Sequence, residues 1–531
     1  MLGRKILYST LVLSGAALFV RLVGFVFRVY LSNTIGAQGM GLFSLIMSVY
    51  TVSVTVATSG ISAAVSKLAA ERLARGKRAQ ARDILRKGIA VSLLLSSVVA
   101  AALFLFAEPI ALHVLRDARA EHSLRLLAPG LPFLSLAACF RGYFIACRRV
   151  AVPAFAQVLE QLFKMGFIML VLAGALERGV EHAAAMVVLG ITLAEIVCFV
   201  YTYIGYLLDK RRHGERAKAN PQSGEGGALR SIFAFALPIS VGSYYRSLMR
   251  LLEDVLIVSG LTRFGGDQAE ATGHYGVLRG MVMPLLIFPL NLLSAFVVTL
   301  TPEVSRLHAM NDNRRLGEII SRILQVTAIA GVFMVCVTMT FAYELGTVVY
   351  REPQVGEMLR VMAFLMPFMC LEMVVVGILQ GMGQQTHSSA YTMFDCTMRV
   401  ALAWLLIPRY GVWGFVIMVV VSNLVTSLLN LRRLLKITRL RMRFNDWLIK
   451  PTLAAMAAAQ GVRALYLYTG FGQLPLWASL VLGFGVIGII YSAALLSLGC
   501  ITRRDIAWAI QRFRPGPQQM NALSQKGTAS S

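Results

Sequence analysis

Fourteen stretches of roughly 20 predominantly apolar residues fill most of this sequence, and they restrict the chain to folding within a lipid bilayer. The hydrocarbon core of a bilayer is about 30 Å thick, and an α-helix of about 20 apolar residues crosses it. The stretches run over residues 6–32, 40–66, 89–112, 126–146, 150–176, 183–208, 231–258, 276–300, 322–343, 357–382, 388–408, 412–431, 450–468 and 476–500. The sequence therefore predicts an all-α, polytopic membrane protein with about fourteen transmembrane helices.

Composition excludes several classes of protein. The chain is 57% hydrophobic and 15% charged, with a mean hydropathy of +0.69, whereas soluble domains carry about 25% charged residues. The connections are too short for a soluble catalytic domain and contain no P-loop or nucleophile elbow, so we do not expect an enzyme. The seven cysteines form no CxxC pair and the seven histidines do not cluster. Neither a metal site nor a cofactor is expected.

The distribution of basic residues predicts the orientation in the membrane. Lys and Arg number 51 against 26 Asp and Glu, a net charge of +25. They concentrate in the even-numbered connections, such as 67–87, 210–218 and 432–443, while the odd-numbered connections 33–39 and 469–475 carry no charge. Because cytoplasmic loops hold the excess of Lys and Arg, both termini are predicted to be cytoplasmic in a plasma-membrane protein. The excess then favours membrane lipids over nucleic acid as its partner.

Internal similarity predicts a duplicated bundle. Residues 131–136 resemble residues 366–371 at an offset of 235, and Val65-Ser66-Lys67-Leu68 resembles Val304-Ser305-Arg306-Leu307 at an offset of 239. We expect two six-helix lobes in parallel repeat plus two C-terminal helices. The predicted divisions are an N-lobe at 1–208, a cytoplasmic linker at 209–230, a C-lobe at 231–434, helices 13 and 14 within 435–500, and a cytoplasmic tail at 501–531. Transporters built from such repeats bind substrate between the halves.

Charged residues inside the apolar stretches are the candidate site residues, because each costs about 2.5–3.5 kcal/mol in a bilayer on insertion scales. The candidates for binding an anionic head group are Arg21, Arg28, Arg246, Arg250 and Arg279. Guanidinium groups bind phosphate and carboxylate in a bidentate manner. Alternatively, Arg250 pairs with Asp254 four residues on, and Arg28 and Arg279 extend to the membrane interface.

Three carboxylates are candidates for ion coupling: Glu253, Asp254 and Asp395 could host a proton or a sodium ion. A structural alternative applies to Asp395, which precedes Arg399 by four residues. Glu160 precedes Lys164 in the same way. Both arrangements are the favourable order for a self-neutralised pair on one helix, and the sequence favours that structural interpretation for them.

Three segments resemble the stage V sporulation protein B family, which belongs to the multidrug/oligosaccharidyl-lipid/polysaccharide exporter superfamily. The first runs over residues 59–71, from Ser59-Gly60-Ile61 to Glu71. The second is Phe140-Arg141-Gly142-Tyr143-Phe144, followed by Val152-Pro153 and residues 157–161. The third is residues 275–281 leading to residues 301–305. The likeness extends over about residues 1–500.

The resemblance implies a flippase that moves undecaprenyl-diphosphate-linked saccharides, lipid II or a related precursor, in peptidoglycan or polysaccharide biosynthesis for the cell wall or for sporulation. Arg21 and Arg279 match arginines that lipid II flippases of the superfamily use, and Arg28 matches a third after a one-residue shift. Val29 and Val282 stand where those flippases usually carry acids. The resemblance also implies a position near an ion site for Glu253, and envelope-synthesis proteins are candidate partners.

Three other functions compete with this one. A cation-coupled multidrug exporter of the same superfamily would have twelve spans and an acidic cavity. A membrane-embedded glycosyltransferase would favour large outer loops. A non-transporting scaffold in envelope or spore-coat assembly would tolerate loss of Arg21 and Arg279.

Overall fold

The computed structural model describes residues 2–58, 60–213, 227–440, 445–468 and 476–500, and within these ranges the chain forms helices and connections without a β-strand. The first half contains α1 (Leu2–Thr58), α2 (Ile61–Ala74), α3 (Arg78–Leu105), α4 (Ala120–Leu127), α5 (Gly130–Ala146), α6 (Ala151–Leu176) and α7 (Val180–His213). The second half contains α8 (Gly227–Gly265), α9 (Gln268–Tyr275), α10 (Met283–Ala309), α11 (Asn313–Thr340), α12 (Pro353–Met362), α13 (Met366–Gly381), α14 (Gln385–Tyr410) and α15 (Val412–Thr438). Two further helices follow, α16 (Lys450–Tyr468) and α17 (Leu476–Ser497).

The first two predicted spans are joined differently from expectation. A loop was expected over 33–39, but α1 runs through it and is interrupted only at Gly36, whose φ is 70° and ψ −176°. Glycine reaches positive φ without a Cβ clash, so one residue is enough to redirect the helix. The bend therefore joins two spans without an intervening loop.

The all-α membrane fold is confirmed, while the number of fourteen spans stays a prediction. By length and composition, nine helices of the described ranges are able to cross a bilayer, or ten if the pair of α4 and α5, bent by 41°, forms one span. That count treats residues 15–74 as a single helix although they contain two predicted spans. The predicted linker 209–230 is described only at its ends, and the predicted tail 501–531 lies outside the described residues.

The backbone repeats at an offset of 235 residues. A π-helical segment at Ile110–Leu115 has its counterpart at Leu345–Val349. Residues with positive φ recur in pairs at the same offset: Gly76 with Asn311, Arg116 with Arg351, and Arg148 with Gly383. Since turn geometry and helix ends recur together, the two halves are copies of one bundle.

The repeat also corrects the register predicted for α2 and α10. Residues 65–68 match residues 304–307 in sequence at an offset of 239, but the helices end at Ala74 and Ala309, an offset of 235. The sequence match is one helical turn out of register. A slip of four residues leaves the same helix face apolar, so hydrophobic patterning does not detect it.

The halves are packed together mainly at one end of the bundle. We call the end with the even-numbered connections the basic end. At the opposite end one apolar core joins both halves, from Leu45 in α1 to Phe415 in α15. At the basic end Phe140 belongs to a core of the first half and Val374 to a separate core of the second, with a small cluster joining α2 and α3 to α8. A cavity between the halves is therefore closed at the opposite end.

Two glycines allow this closure. A Cβ on Gly41 would overlap the carbonyl oxygen of Thr272, and a Cβ on Gly276 would overlap that of Ala37. The backbones of α1 and α9 are thus in direct contact, as small residues permit between helices in membranes. We call this contact the glycine seal.

Candidate substrate cavity

A cavity of about 700 Å³ lies between the halves, lined by α1, α6 and α7 from the first and by α8, α10 and α14 from the second. The segment Gly276–Val282, a π-helical continuation of α9, completes the wall. Six basic and three acidic side chains line the cavity: Arg21, Arg28, Lys164, Arg250, Arg279 and Arg399, with Glu253, Asp254 and Asp395. The lining therefore has a formal excess of three positive charges.

Two of the predicted carboxylates are held by arginines. The Arg279 guanidinium lies 3.0 Å from Oδ1 of Asp254 and 3.6 Å from Oε1 of Glu253, and Arg399 donates from Nε to that Glu253 oxygen at 3.2 Å. The Glu253 and Asp254 side chains are only 6% and 5% exposed. These four groups form a compensated network in the cavity wall, which we call the wall network.

The two arginines of α1 contact different elements of the second half, Arg28 the segment that follows α9 and Arg21 the helix α10. Arg28 donates to the carbonyl oxygens of Arg279 and Gly280, each at 3.2 Å. A π-helix shifts the backbone hydrogen-bond pattern locally, and such segments are frequent at functional sites. Arg21 donates to Oγ of Ser294 at 2.6 Å. Neither arginine has a carboxylate within 4.0 Å among the described residues, so both charges remain uncompensated.

Arg250 and Arg246 differ in position. The alternative pairing of Arg250 with Asp254 is not formed, because Asp254 is occupied by Arg279; no carboxylate of the described residues lies within 4.0 Å of Arg250. Arg246 does not line the main cavity. It lies in an adjoining pocket of about 320 Å³, which shares Arg250 and Thr51 with the cavity, and it donates to Oγ of Ser243 at 3.2 Å.

The same-helix pairs favoured by the sequence are wrong for both acids. Asp395 accepts hydrogen bonds from the hydroxyls of Ser422 and Thr426, the latter at 2.9 Å, while Arg399 reaches across to Glu253. Glu160 is paired with Arg141, 3.7 Å away, rather than with Lys164. Contacts between helices compete with i,i+4 pairs, which contribute only about 0.2–0.5 kcal/mol.

Lys164 and Arg399 were not singled out as binding residues, yet both line the cavity. They occupy equivalent positions of the repeat, 235 residues apart. This equivalence is the sequence signal that could have identified them, because each half contributes one basic residue at the same position of the repeat. The positive charges of the cavity wall thus partly follow the internal repeat.

The fold and the cavity define a multi-pass helical membrane protein of the flippase and exporter type. The model of the family described as polysaccharide biosynthesis protein matches residues 6–308, more than half of the chain, and the chain belongs to that family. The MatE family model matches residues 254–405. The resemblance drawn from the sequence motifs is confirmed.

Curated relatives agree with this assignment. Stage V sporulation protein B of Bacillus subtilis (strain 168) is 24% identical over 456 residues, covering 84% of this chain and 87% of the relative. The lipid II flippase MurJ of the same organism is 22% identical over 433 residues, covering 76% and 77%.

Solved structures share the fold. The lipid II flippase MurJ in an inward closed conformation aligns with a TM-score of 0.69 at 13% identity, over 92% of this chain and 99% of that one. An inward-facing multidrug resistance MATE family transporter of the MOP superfamily aligns with a TM-score of 0.62 at 16% identity, over 80% and 98%.

Proposed function

We propose that this protein moves an undecaprenyl-diphosphate-linked saccharide, lipid II or a related envelope precursor, from the cytoplasmic to the outer leaflet. The observation that carries the proposal is the uncompensated charge of Arg21, Arg28 and Arg250 in the cavity between the halves. A diphosphate loses its hydration on entering the bilayer, and guanidinium groups replace it with charge-assisted hydrogen bonds.

The cavity size supports binding of the diphosphate and the adjoining sugar. Its volume of about 700 Å³ lies within the usual range of small-molecule sites, roughly 300–1,000 Å³. A polyprenyl chain would exceed it and stays in the surrounding lipid. No covalent step is required, so the protein acts as a transporter and not as an enzyme.

Alternating access completes the proposed mechanism. The N-lobe (1–208) and the C-lobe (231–434) would rock about the cavity, connected by the cytoplasmic linker 209–230. Closure at the opposite end by the glycine seal corresponds to a cavity that faces the basic end. The positive-inside distribution supports a cytoplasmic position for that end and for both termini.

Asp395 is the strongest candidate among the three acids for coupling to H⁺ or Na⁺. Glu253 and Asp254 are neutralised by Arg279 and Arg399, whereas no basic group of the described residues lies within 4.0 Å of Asp395. Its neighbours are the hydroxyls of Ser422 and Thr426, oxygen ligands suited to a hard cation.

Asp395→Asn is expected to remove any dependence of transport on Na⁺ or on the proton gradient while preserving the fold, because the amide keeps the shape and accepts the same hydroxyl donors. Flipping of a lipid-linked saccharide is measured in proteoliposomes with each gradient imposed in turn. Unchanged ion dependence in the variant would eliminate Asp395 as the coupling residue.

The function itself is tested by complementation in a bacterium depleted of its own lipid II flippase. Rescue by this chain is expected, and Arg21→Gln and Arg250→Gln should each reduce it about tenfold or more, since a hydrogen bond to a charged group contributes about 1.5–3 kcal/mol. Arg360→Gln is the matched control, because Arg360 is exposed and does not line the cavity.

The outcomes separate the competing functions. A non-transporting scaffold would give no rescue, with or without the cavity arginines, and no drug resistance. A multidrug exporter would confer drug resistance without rescue and would gain from the loss of cavity arginines. Failure of the unaltered chain at normal membrane abundance would contradict lipid II as the substrate.

A further inference from the structure

A second cavity, of about 330 Å³, lies at the basic end of the first half and shares no lining residue with the cavity between the halves. It is formed where α2 ends, α3 begins, the α5–α6 turn passes and α7 approaches its end. Four arginines and one acid line it: Arg78, Arg82, Arg148, Arg149 and Asp209. Nothing in the proposed transport mechanism uses this cavity.

Its charge is largely uncompensated. Arg149 forms an ion pair with Asp209, whose side chain is only 10% exposed. Arg78, Arg82 and Arg148 have no carboxylate within 4.0 Å among the described residues. Three arginines without a carboxylate partner thus line one concave site, whose single acid is already paired.

The backbone at Arg148 gives independent support. Its φ is 58°, in the left-handed region that glycine occupies without strain, and the equivalent residue of the second half is Gly383 with a φ of 73°. Both turns carry the same hydrogen bonds, from Arg149 N to Phe144 O and from Gln384 N to Leu379 O. The turn therefore requires positive φ, and the first half places an arginine there at a conformational cost.

The repeat shows that the fold does not require these charges. At the offset of 235 the four arginines correspond to Asn313, Gly317, Gly383 and Gln384, all of them neutral. The second half forms the same helices and turns without them. The arginine cluster is therefore an addition to one copy of the bundle.

We propose that this cavity binds a phosphate group, carried either by an anionic lipid head group or by a soluble phosphate compound. Guanidinium groups bind phosphate oxygens bidentately. Three of them, with no unpaired acid beside them, favour an anionic phosphate monoester or diester over a neutral ligand. The cavity lies at the end of the helices, where lipid head groups and the aqueous phase meet. The site is independent of the transported substrate.

The test uses the full-length protein in detergent and the double variant Arg82→Gln/Arg148→Gly. Glycine suits the positive φ of residue 148, so the variant retains the turn. The control is Arg75→Gln/Arg86→Gln, which removes two exposed charges from the same region outside the cavity. Pyrophosphate is titrated at constant ionic strength and binding is followed by thermal unfolding. Retention of phosphatidylglycerol against phosphatidylcholine is measured by native mass spectrometry.

The cavity variant should bind at least one probe about tenfold more weakly than the unaltered protein and the control, because two charge-assisted contacts are lost. Loss for phosphatidylglycerol alone identifies a lipid head group, and loss for pyrophosphate alone identifies a soluble ligand. Binding at the cavity between the halves is unaltered in both variants and cancels in the comparison. Equal binding by all three proteins, or no binding of either probe, overturns the proposal.

Discussion

Replacing Arg279 with methionine is expected to lower the free energy of unfolding by about 3–5 kcal/mol, the usual cost of removing one partner from a buried charge pair. The guanidinium contacts both Asp254 and Glu253, and the substitution leaves Asp254 without a cation. Methionine retains the apolar stem, so the loss of charge dominates the effect. The measurement is the unfolding midpoint in detergent, together with the yield of folded protein.

Two controls isolate the electrostatic cause. Adding Asp254→Asn to Arg279→Met should restore much of the stability, because the unpaired carboxylate is then gone. Arg250→Met removes a guanidinium of the same cavity that pairs with no carboxylate of the described chain, and should change the midpoint little. If Arg279→Met unfolds at the same temperature as the unaltered protein, the wall network does not stabilise the fold.

This prediction also determines which variants test transport. Loss of function in an Arg279 variant would not distinguish a missing substrate contact from a damaged fold. Arg21 and Arg250 lack carboxylate partners among the described residues, so their loss reports on the cavity.

Gly276→Ala is expected to open the opposite end of the bundle. The new Cβ would overlap the carbonyl oxygen of Ala37, which belongs to the backbone and cannot rotate away. Overpacking costs about 1–3 kcal/mol, and a cost near 2 kcal/mol applied only to the sealed state shifts the ratio of sealed to open states about 30-fold. Hydrogen–deuterium exchange should rise in peptides from residues 36–46 and 268–283.

Gly273→Ala is the matched control for the glycine seal. Gly273 lies one turn earlier in α9, and a Cβ there meets no atom within 4 Å, so exchange should stay at the unaltered level. Faster exchange in both variants would indicate a general loosening of α9, and equal, slow exchange in both would contradict the seal.

The sequence predicts most of the architecture because its signals are local or periodic. Apolar runs locate the helices, and the motif at residues 131–136 with its copy at 366–371 gives the repeat offset of 235 that the turns reproduce. The loop expected over 33–39 was wrong, since one glycine in the left-handed region bends α1 instead. A helix pattern does not distinguish a short loop from a one-residue break.

The sequence predicts which charged residues belong to the site, but it does not predict which ion pairs they form. A helix shows which residues share its face, but Arg399 selects Glu253 on α8 over Asp395 on its own helix. That choice depends on how far apart α8 and α14 lie, which no spacing within either helix specifies. The roles of the predicted binding and coupling residues stay predictions.

The break at Gly36 allows the part of α1 that precedes it to rotate as a rigid arm. Arg21 precedes Gly36 by fifteen residues, and at 1.5 Å per residue the arm is about 22 Å long. A rotation of about 10° at this one glycine would displace the Arg21 guanidinium by about 4 Å, more than its contact with Ser294 can stretch. A small torsion beside the glycine seal is thereby converted into the making or breaking of the hydrogen bond between Arg21 and Ser294 at the far end of the arm.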